Sequence, residues 1–450
     1  MSDTQTVPKH RQNRRPAQLV PKLRLLYSPA SGLLSGSRLY SLDVGERAIG
    51  RSPGSATGIA VESDRAMSRR HALLAVEDGS LAVSICDQDS TNGTFVNRER
   101  ITAPTRLADG DIIQTGDSFW LLRFEPEILK DEQIPSIIGV SASIKACRAQ
   151  VARYAKSTCT VLILGETGTG KEVVAKALHS LSKRTGQLIT VNCAAIPETL
   201  APSEFFGHVP NSFTGAKERK GHYIEADRGT LFLDEVGDMR SDLQPVLLRA
   251  IEDGPIPPIG TSKPVTANVR IIAATNRPLS VDVETGRFRQ DLLARLAGVE
   301  IHLPPLKDRR EDILLLFHHF LAGRSVELSS ELIESLLTYD WPLNVRELSK
   351  AAERLILDGP ESIIADYQTV HQGKAHKPAT PQPVGRQSAA RNRRTDPTSA
   401  EIVAALMECS GVVIHAAERL GIPRPRLYQL MDKLGIDKDQ FRHVHRELPQ

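Results

Sequence analysis

The run Gly165-Glu166-Thr167-Gly168-Thr169-Gly170-Lys171 follows an apolar, strand-like stretch from Thr160 to Leu164 and opens a helical pattern. Glycines let consecutive backbone N–H groups turn inward around phosphates, the helix start adds its positive dipole end, and Lys171 supplies charge to the outer phosphates. Such a loop needs a strand feeding a helix. Strand-like runs return at Thr230 to Leu233 and at Val269 to Ala273, with helical patterns between them. Strands alternating with helices imply a parallel α/β sheet. One of these strands, Leu231-Phe232-Leu233-Asp234-Glu235, ends in two carboxylates. Asp234 is expected to hold Mg²⁺, directly or through water, and Glu235 to polarise an attacking water. Glu172 stands where a Ser or Thr hydroxyl generally helps to hold the ion, so metal binding is expected to lean on water and on Asp234.

At 450 residues the chain exceeds what one hydrophobic core usually serves, and two to four domains are expected. A content of 40% hydrophobic and 25% charged residues excludes a chain disordered throughout. Net charge is only +3, so any affinity for nucleic acid must come from a local basic surface. The five cysteines, Cys86, Cys147, Cys159, Cys193 and Cys409, are scattered and never form a CxxC pair, which reads as reduced, cytosolic thiols. Lys9, Arg11, Arg14 and Arg15 near the start are not followed by an apolar run, so that segment reads as a solvated tail rather than a signal peptide. No stretch approaches the roughly 18 apolar residues that cross a bilayer. A cytoplasmic location without a membrane partner is expected.

Patterning divides the chain further. Residues 1–21 form the basic tail. Residues 22–126 show short alternating apolar runs punctuated by Gly, Asp-Gly and Asn-Gly, the texture of a β-sandwich. Residues 137–305 carry the α/β pattern, and 306–370 the helical spacing of a small lid. Residues 371–398 are rich in Pro, Gln and Arg and are expected to be a flexible linker. Residues 399–450 return to helical spacing.

The central region resembles the ATPase of the sigma-54-dependent enhancer-binding activators, a branch of the AAA+ ATPases. In that family the phosphate loop itself ends in Lys-Glu, which Lys171-Glu172 reproduces. The resemblance implies that ATP is bound by residues 165–172, with Thr275 and Asn276 as a first sensor and Arg346 as a second on the lid. It implies that Asn192 is a switch that holds Glu235 until the nucleotide state changes. Arg289 and Arg295 match a pair supplied to the neighbouring subunit's ATP, which would make hydrolysis depend on a ring. Leu343 stands where the family usually has Gly, so the turn into the helix bearing Arg346 is expected to differ. Phe205-Phe206-Gly207-His208-Val209-Pro210-Asn211-Ser212-Phe213-Thr214-Gly215-Ala216 resembles the loop that grips sigma-54, with Phe213, Thr214, Gly215 and Ala216 as its intact half. Where the family reads Gly-Ala, this chain has Asn211-Ser212 after Pro210.

The flanks resemble two further modules. Gly50-Arg51, Ser68-Arg69-Arg70-His71, Asp89 to Asn97 and Gly110-Asp111 are similar to the signature of forkhead-associated (FHA) domains, β-sandwiches that bind phosphothreonine peptides. A phosphate of nearly two negative charges suits Arg51 and Arg69 as charged donors and Ser68 as a neutral one, with Thr91 and Asn92 fixing the peptide. His71 and Gly93 are read as holding the loops in shape. Ser399 to Ile436 resembles a Fis-type helix-turn-helix, an all-α fold in which Arg424, Arg426, Tyr428 and Gln429 would reach phosphates or base edges of enhancer DNA.

Together the resemblances imply a multidomain ATP-dependent transcription activator acting on sigma-54 RNA polymerase. Its phosphothreonine-containing partner would come from a Ser/Thr kinase pathway, and it would assemble from dimers to a hexameric ring. Two other readings stay open at this point. One is a DNA-binding regulator whose ATPase does not engage sigma-54. The other is a general AAA+ remodelling enzyme, against which the terminal helix-turn-helix counts.

Overall fold

A computed structural model of the chain describes residues 19–30, 38–54, 57–78, 81–127, 131–196, 201–210, 219–252, 260–261, 263–324, 326, 328–369, 402–403 and 431. The chain divides into two compact units, Met1–Ala375 and His376–Gln450. Of the second unit the description reaches Ile402, Val403 and Met431, all helical, with Ile402 and Met431 buried. The helix-turn-helix expected there lies outside the described residues, as do its Arg424, Arg426, Tyr428 and Gln429.

The first unit opens with two facing sheets. One runs Leu39–Ser41, Leu19–Tyr27, Ser118–Pro126, Ile112–Thr115, Thr94–Val96, Glu99–Arg100 in spatial order, and the other Ile59–Ala60, Gly45–Gly50, Ala72–Val76, Val83–Asp87, Thr105–Leu107. Alternation builds the core between them: Leu23, Leu25, Ile113, Trp120 and Leu122 meet Ile49, Leu74, Val83 and Ile85.

The central α/β core is a five-stranded parallel sheet of β1 (Val161–Leu164), β2 (Leu188–Asn192), β3 (Thr230–Asp234), β4 (Arg270–Thr275) and β5 (Val299–His302). Its spatial order is β2-β3-β4-β1-β5. Both faces are covered, which is why β1, β3 and β4 read as continuous apolar runs. Leu162, Leu231, Leu233 and Ala273 pack on one side, and Val161, Ile163, Phe232 and Ile272 on the other. The lid follows as helices Ile313–Phe320, Ser330–Thr338, Asn344–Asp358 and Pro360–Thr369, closed around Phe317, Leu336, Trp341 and Leu348. Among the described residues no helix is long and apolar enough to cross a membrane.

The sandwich is docked on the lid. Leu26, Tyr27, Ile112, Phe119 and Leu121, on the outer face of the six-stranded sheet, are buried in one cluster with the lid residues Ile313, Phe317, Leu332 and Leu336. Polar ties surround that cluster. Arg98 pairs with Glu334 at 3.3 Å, Ser330 donates to Asp117 at 2.8 Å, and the Tyr27 hydroxyl donates to the Leu328 carbonyl at 3.4 Å. Arg123 donates from Nη2 to Glu311 at 2.9 Å and to the Asp308 carbonyl at 2.9 Å. Burial raises the pKa of Glu311, and the Arg123 charge works against that rise.

Glu311 lies in the short connection from β5 to the lid. Beside it, Arg309 donates to the Thr169 carbonyl at 2.8 Å, and Asp312 accepts from the Ser141 backbone at 2.9 Å and hydroxyl at 2.6 Å. Arg123→Met is therefore expected to leave a buried carboxylate without its cation and to destabilise the lid junction by about 3 kcal/mol. Replacing both partners, Arg123→Met with Glu311→Leu, is expected to recover most of that loss. Urea unfolding followed at Trp341 checks both, and an unchanged midpoint for the single variant would contradict the assignment.

Candidate functional site

The carboxyl ends of β1 to β4 converge, as ligand sites do on parallel sheets. At the end of β1, Gly168 and Gly170 have φ of +79° and +107°, the left-handed region that glycine tolerates. Gly168 is required for a second reason, since a Cβ there would lie 2.1 Å from the Leu343 carbonyl oxygen of the lid. Lys171 begins the helix Lys171–Leu181 and is buried, its Nζ donating to the Gly165 carbonyl at 3.0 Å and the Glu166 carbonyl at 3.3 Å. The Thr169 hydroxyl donates to the Glu166 carbonyl at 2.8 Å. Glu172 points along the exposed helix surface, paired with Lys176 at 2.8 Å.

At the end of β3, Glu235 adopts φ 51°, which turns its side chain back over the loop. One of its oxygens lies 3.4 Å from Lys171 Nζ, and the other accepts the Asn276 backbone N–H at 3.3 Å. The Asn276 side chain in turn donates to the Thr167 hydroxyl at 2.9 Å, while buried Thr275 accepts the Gly165 N–H on its carbonyl at 3.3 Å. Burial, and then the neighbouring Glu235 charge, raise the pKa of Asp234, with Lys171 acting against them. These two adjacent carboxylates, both only partly buried, form a donor set that suits a divalent cation.

Asn192 is aligned with Asp234 across β2 and β3, but its side-chain oxygen accepts the Ala194 N–H at 2.9 Å. Glu235 is held by Lys171 and Asn276 instead. Arg289 and Arg295 stand apart on the surface, Arg289 in a two-pronged pair with Asp291 at 3.0 and 2.7 Å and Arg295 on Glu252 at 2.7 Å. Arg346 is exposed, with its Cβ beside Gly168.

The lid grips the loop through residues that pattern reading passed over. Buried Asn344 donates to Glu166 Oε2 and to the Thr167 carbonyl, both at 3.1 Å, and accepts the Leu306 N–H at 2.6 Å. The Val345 N–H donates to the Gly168 carbonyl at 2.9 Å. The turn before this helix needs no glycine at Leu343, whose φ is −102°; the left-handed positions are Trp341 and Asn344. In this turn the positive φ falls on the residues that flank Pro342-Leu343. A cleft of about 440 Å³ opens beside Gly165 and Glu166, lined by Ser143, His302, Leu303 and Pro304. A larger one, about 540 Å³, lies among Lys183, Arg184 and Arg228 near the amino ends of the strands, away from this chemistry.

At the loop end of the sandwich, Arg51, Ser68, Arg69, Thr91 and Asn92 are gathered. The Arg51 N–H donates to the Ser68 carbonyl at 2.9 Å, and the Ser68 hydroxyl accepts the Thr91 N–H at 3.1 Å. Asn92 donates to the Ala66 carbonyl at 2.7 Å. His71 holds the loops in shape, accepting the Ser68 N–H at 3.0 Å while its other ring nitrogen lies 3.0 Å from the Gly93 carbonyl. Gly50 permits the close approach, because a Cβ there would sit 2.1 Å from the Arg69 carbonyl oxygen. Asp87 anchors the opposite loop: burial opposes its ionisation, but hydrogen bonds from Ser90 and Thr94 outweigh that and hold its pKa low. Asp64, fully buried, accepts from the Ala66 and Met67 N–H groups and from Ser118. Phe213, Thr214, Gly215 and Ala216 lie outside the described residues.

Residues 137–302 match the Sigma-54 interaction domain, 307–383 the AAA+ ATPase lid domain, and 47–116 the FHA domain. Transcriptional regulatory protein ZraR of Escherichia coli is 42% identical over 300 residues, covering 65% of this chain and 67% of that protein. The chain belongs to the sigma-54 interaction domain family. The DNA-binding transcriptional activator HyfR of the same organism is also 42% identical, over 69% of this chain and 49% of HyfR. The chain thus spans about half the length of that relative. A crystal structure of NtrX from Brucella abortus in complex with ATP is similar at 29% identity and a TM-score of 0.47, over 68% of this chain and 70% of that one. The sigma-54 interaction domain is an AAA+ ATPase, here with a β-sandwich FHA domain ahead of it and an AAA+ lid behind.

Proposed function

We propose that this chain activates transcription from sigma-54 RNA polymerase by hydrolysing ATP in a ring of its own copies, in response to a phosphothreonine partner and from enhancer DNA. One observation carries the catalytic part: the Glu235 carboxylate lies 3.4 Å from Lys171 Nζ on one oxygen and accepts the Asn276 N–H at 3.3 Å on the other, at the ends of three neighbouring parallel strands. In this reading the loop from Gly165 to Lys171 cradles the phosphates, and Lys171 exchanges its own carbonyls and Glu235 for phosphate oxygens. Glu235 accepts the proton of the attacking water, and Thr275 and Asn276 register the outer phosphate. Asp234 would hold Mg²⁺, which when bound offsets charge on those phosphates. Asn192 takes up Glu235 only in another nucleotide state. Arg289 and Arg295, exposed and paired with the surface carboxylates Asp291 and Glu252, serve the neighbouring protomer's ATP, and Arg346 reports from the lid.

The sigma-54 contact is assigned to Phe213, Thr214, Gly215 and Ala216. The test is retention of purified sigma-54 by the protein trapped with ADP and aluminium fluoride, beside an Asn211→Gly/Ser212→Ala variant. Retention by both is expected. Retention by the variant alone would favour a regulator that does not engage sigma-54, and retention by neither would overturn the reading.

The FHA domain is assigned the signal. Arg51→Ala is expected to weaken binding of phosphothreonine peptides by roughly 30- to 150-fold, the loss of about 2–3 kcal/mol of charge-assisted bonding. Calorimetry against a phosphothreonine peptide library checks it; unchanged affinity would remove the proposed input. Because the sandwich is docked on the lid, peptide occupancy reaches the ATPase through the lid rather than through a loose tether.

A further inference from the structure

The side-chain amide of Gln244, at the start of the helix Gln244–Glu252, makes three hydrogen bonds in a place closed to solvent. Its Nε2 donates to the Met239 carbonyl at 3.1 Å and to the Arg287 carbonyl at 3.0 Å, and its Oε1 accepts the Arg289 N–H at 2.9 Å. Met239 ends the short turn Val236–Asp238 that directly follows Asp234 and Glu235. Arg289 begins the helix Gln290–Leu296. One buried amide therefore ties the turn behind a protomer's own Glu235 to the backbone of the arginine assigned to its neighbour.

A second tie joins the same two segments. Arg277, next to Asn276, bonds Asp238 in that turn at 2.8 Å and Asp282 twice at 2.8 Å. Asp282 also binds the Arg287 guanidinium at 2.8 Å, and its carbonyl accepts the Arg287 and Phe288 N–H groups at 2.9 and 3.0 Å. Phe288 is buried. The backbone up to Arg289 is thus fixed while the Arg289 side chain remains at the surface. An apolar side chain of the same length would fill the volume but leave the Met239 and Arg287 carbonyls and the Arg289 N–H without these partners. Burying an amide is tolerated only when its bonds are made, and here all of them run to the backbone of those two segments.

We infer that Gln244 is a positioning residue: it sets where Arg289 points across the protomer boundary and links that setting to the turn behind Glu235. The inference rests on the reading that Arg289 completes a neighbour's ATP site. Gln244→Met is expected to lower ATP turnover by about 100-fold, the scale of a misplaced catalytic group, with ATP affinity within about twofold of native.

Mixed rings separate the causes. Lys171→Ala disables a protomer's own site but keeps its Arg289, so a 1:1 mixture of Gln244→Met and Lys171→Ala proteins is expected to recover about a quarter of native turnover, because random assembly pairs an intact site with an intact arginine at one boundary in four. Recovery when Gln244→Met is mixed instead with Arg289→Ala would place the defect in its own site and overturn the inference, as would native turnover by Gln244→Met alone or recovery in neither mixture. Should Gln244→Met fail to fold, Gln244→Glu, which keeps the acceptor for Arg289 and loses both donated bonds, goes through the same mixtures. The control is Arg289→Ala with Lys171→Ala. If that pair stays silent, the shared-site reading falls and takes this inference with it; if it recovers, a silent Gln244 mixture overturns this inference alone.

Discussion

The Glu235→Gln protein is expected to bind ATP at least as tightly as the native chain and to hydrolyse it about 10²- to 10⁴-fold more slowly. The amide keeps an acceptor for the Asn276 N–H, which Glu235 now receives at 3.3 Å, so the loop geometry should persist. It removes the negative charge that lies 3.4 Å from Lys171, and Lys171 is then freer to meet phosphate. What is lost is the group that takes a proton from water. Nucleotide titration and phosphate release measured on one preparation separate the two effects, and equal hydrolysis by both proteins would refute the role of Glu235.

Arg289→Ala is the second large effect. Supplying a guanidinium to developing charge on a transferred phosphoryl group is worth about 10³- to 10⁵-fold in turnover, and its removal should cost that much at saturating ATP without changing nucleotide affinity. Its present partner, Asp291, is as exposed as Arg289 itself, and an exposed pair of this kind is easily exchanged for a phosphate. Single-turnover hydrolysis by assembled protein decides the matter. A native rate from Arg289→Ala would assign the arginine to the surface and nothing more.

How far the sequence disclosed all this follows from the reach of each interaction. The phosphate loop and the paired acids of Asp234-Glu235 were legible because a strand, a turn and the residues after it are consecutive, and local chemistry dictates their types. The FHA loops were legible for the same reason, down to the shaping role of His71. Residues that act over long separations were silent. Asn344 bonds Thr167, Arg309 bonds Thr169 and Gln244 bonds Arg287, and periodicity shows none of these.

The docking of the sandwich on the lid did leave a trace. Ser118-Phe119-Trp120-Leu121-Leu122 carries four apolar residues in succession, more than a strand with one solvated face should hold. Trp120 and Leu122 fill the sandwich core, and Phe119 and Leu121 fill the lid interface. The backbone of the turn at Leu343 was not legible at all: its left-handed positions are Trp341 and Asn344, neither of them a glycine that would announce a positive φ.

Docking also alters how a signal would travel. Asp64 accepts from the loop just before Ser68 and from the Asp117 N–H at 2.9 Å, and Asp117 receives the Ser330 hydroxyl of the lid. The loop before Ser68 and the lid are therefore connected through the buried Asp64 carboxylate and the Asp117 turn. The same lid holds the phosphate loop through Asn344 and Val345.

The most direct test of a shared ATP site is turnover per protomer measured across a range of protein concentrations, with sedimentation run on the same samples in ATP and magnesium. Turnover per protomer should climb with the fraction assembled and be close to nil in the monomer. A monomer that releases phosphate at the full rate, or an assembled protein that releases none, would contradict the account.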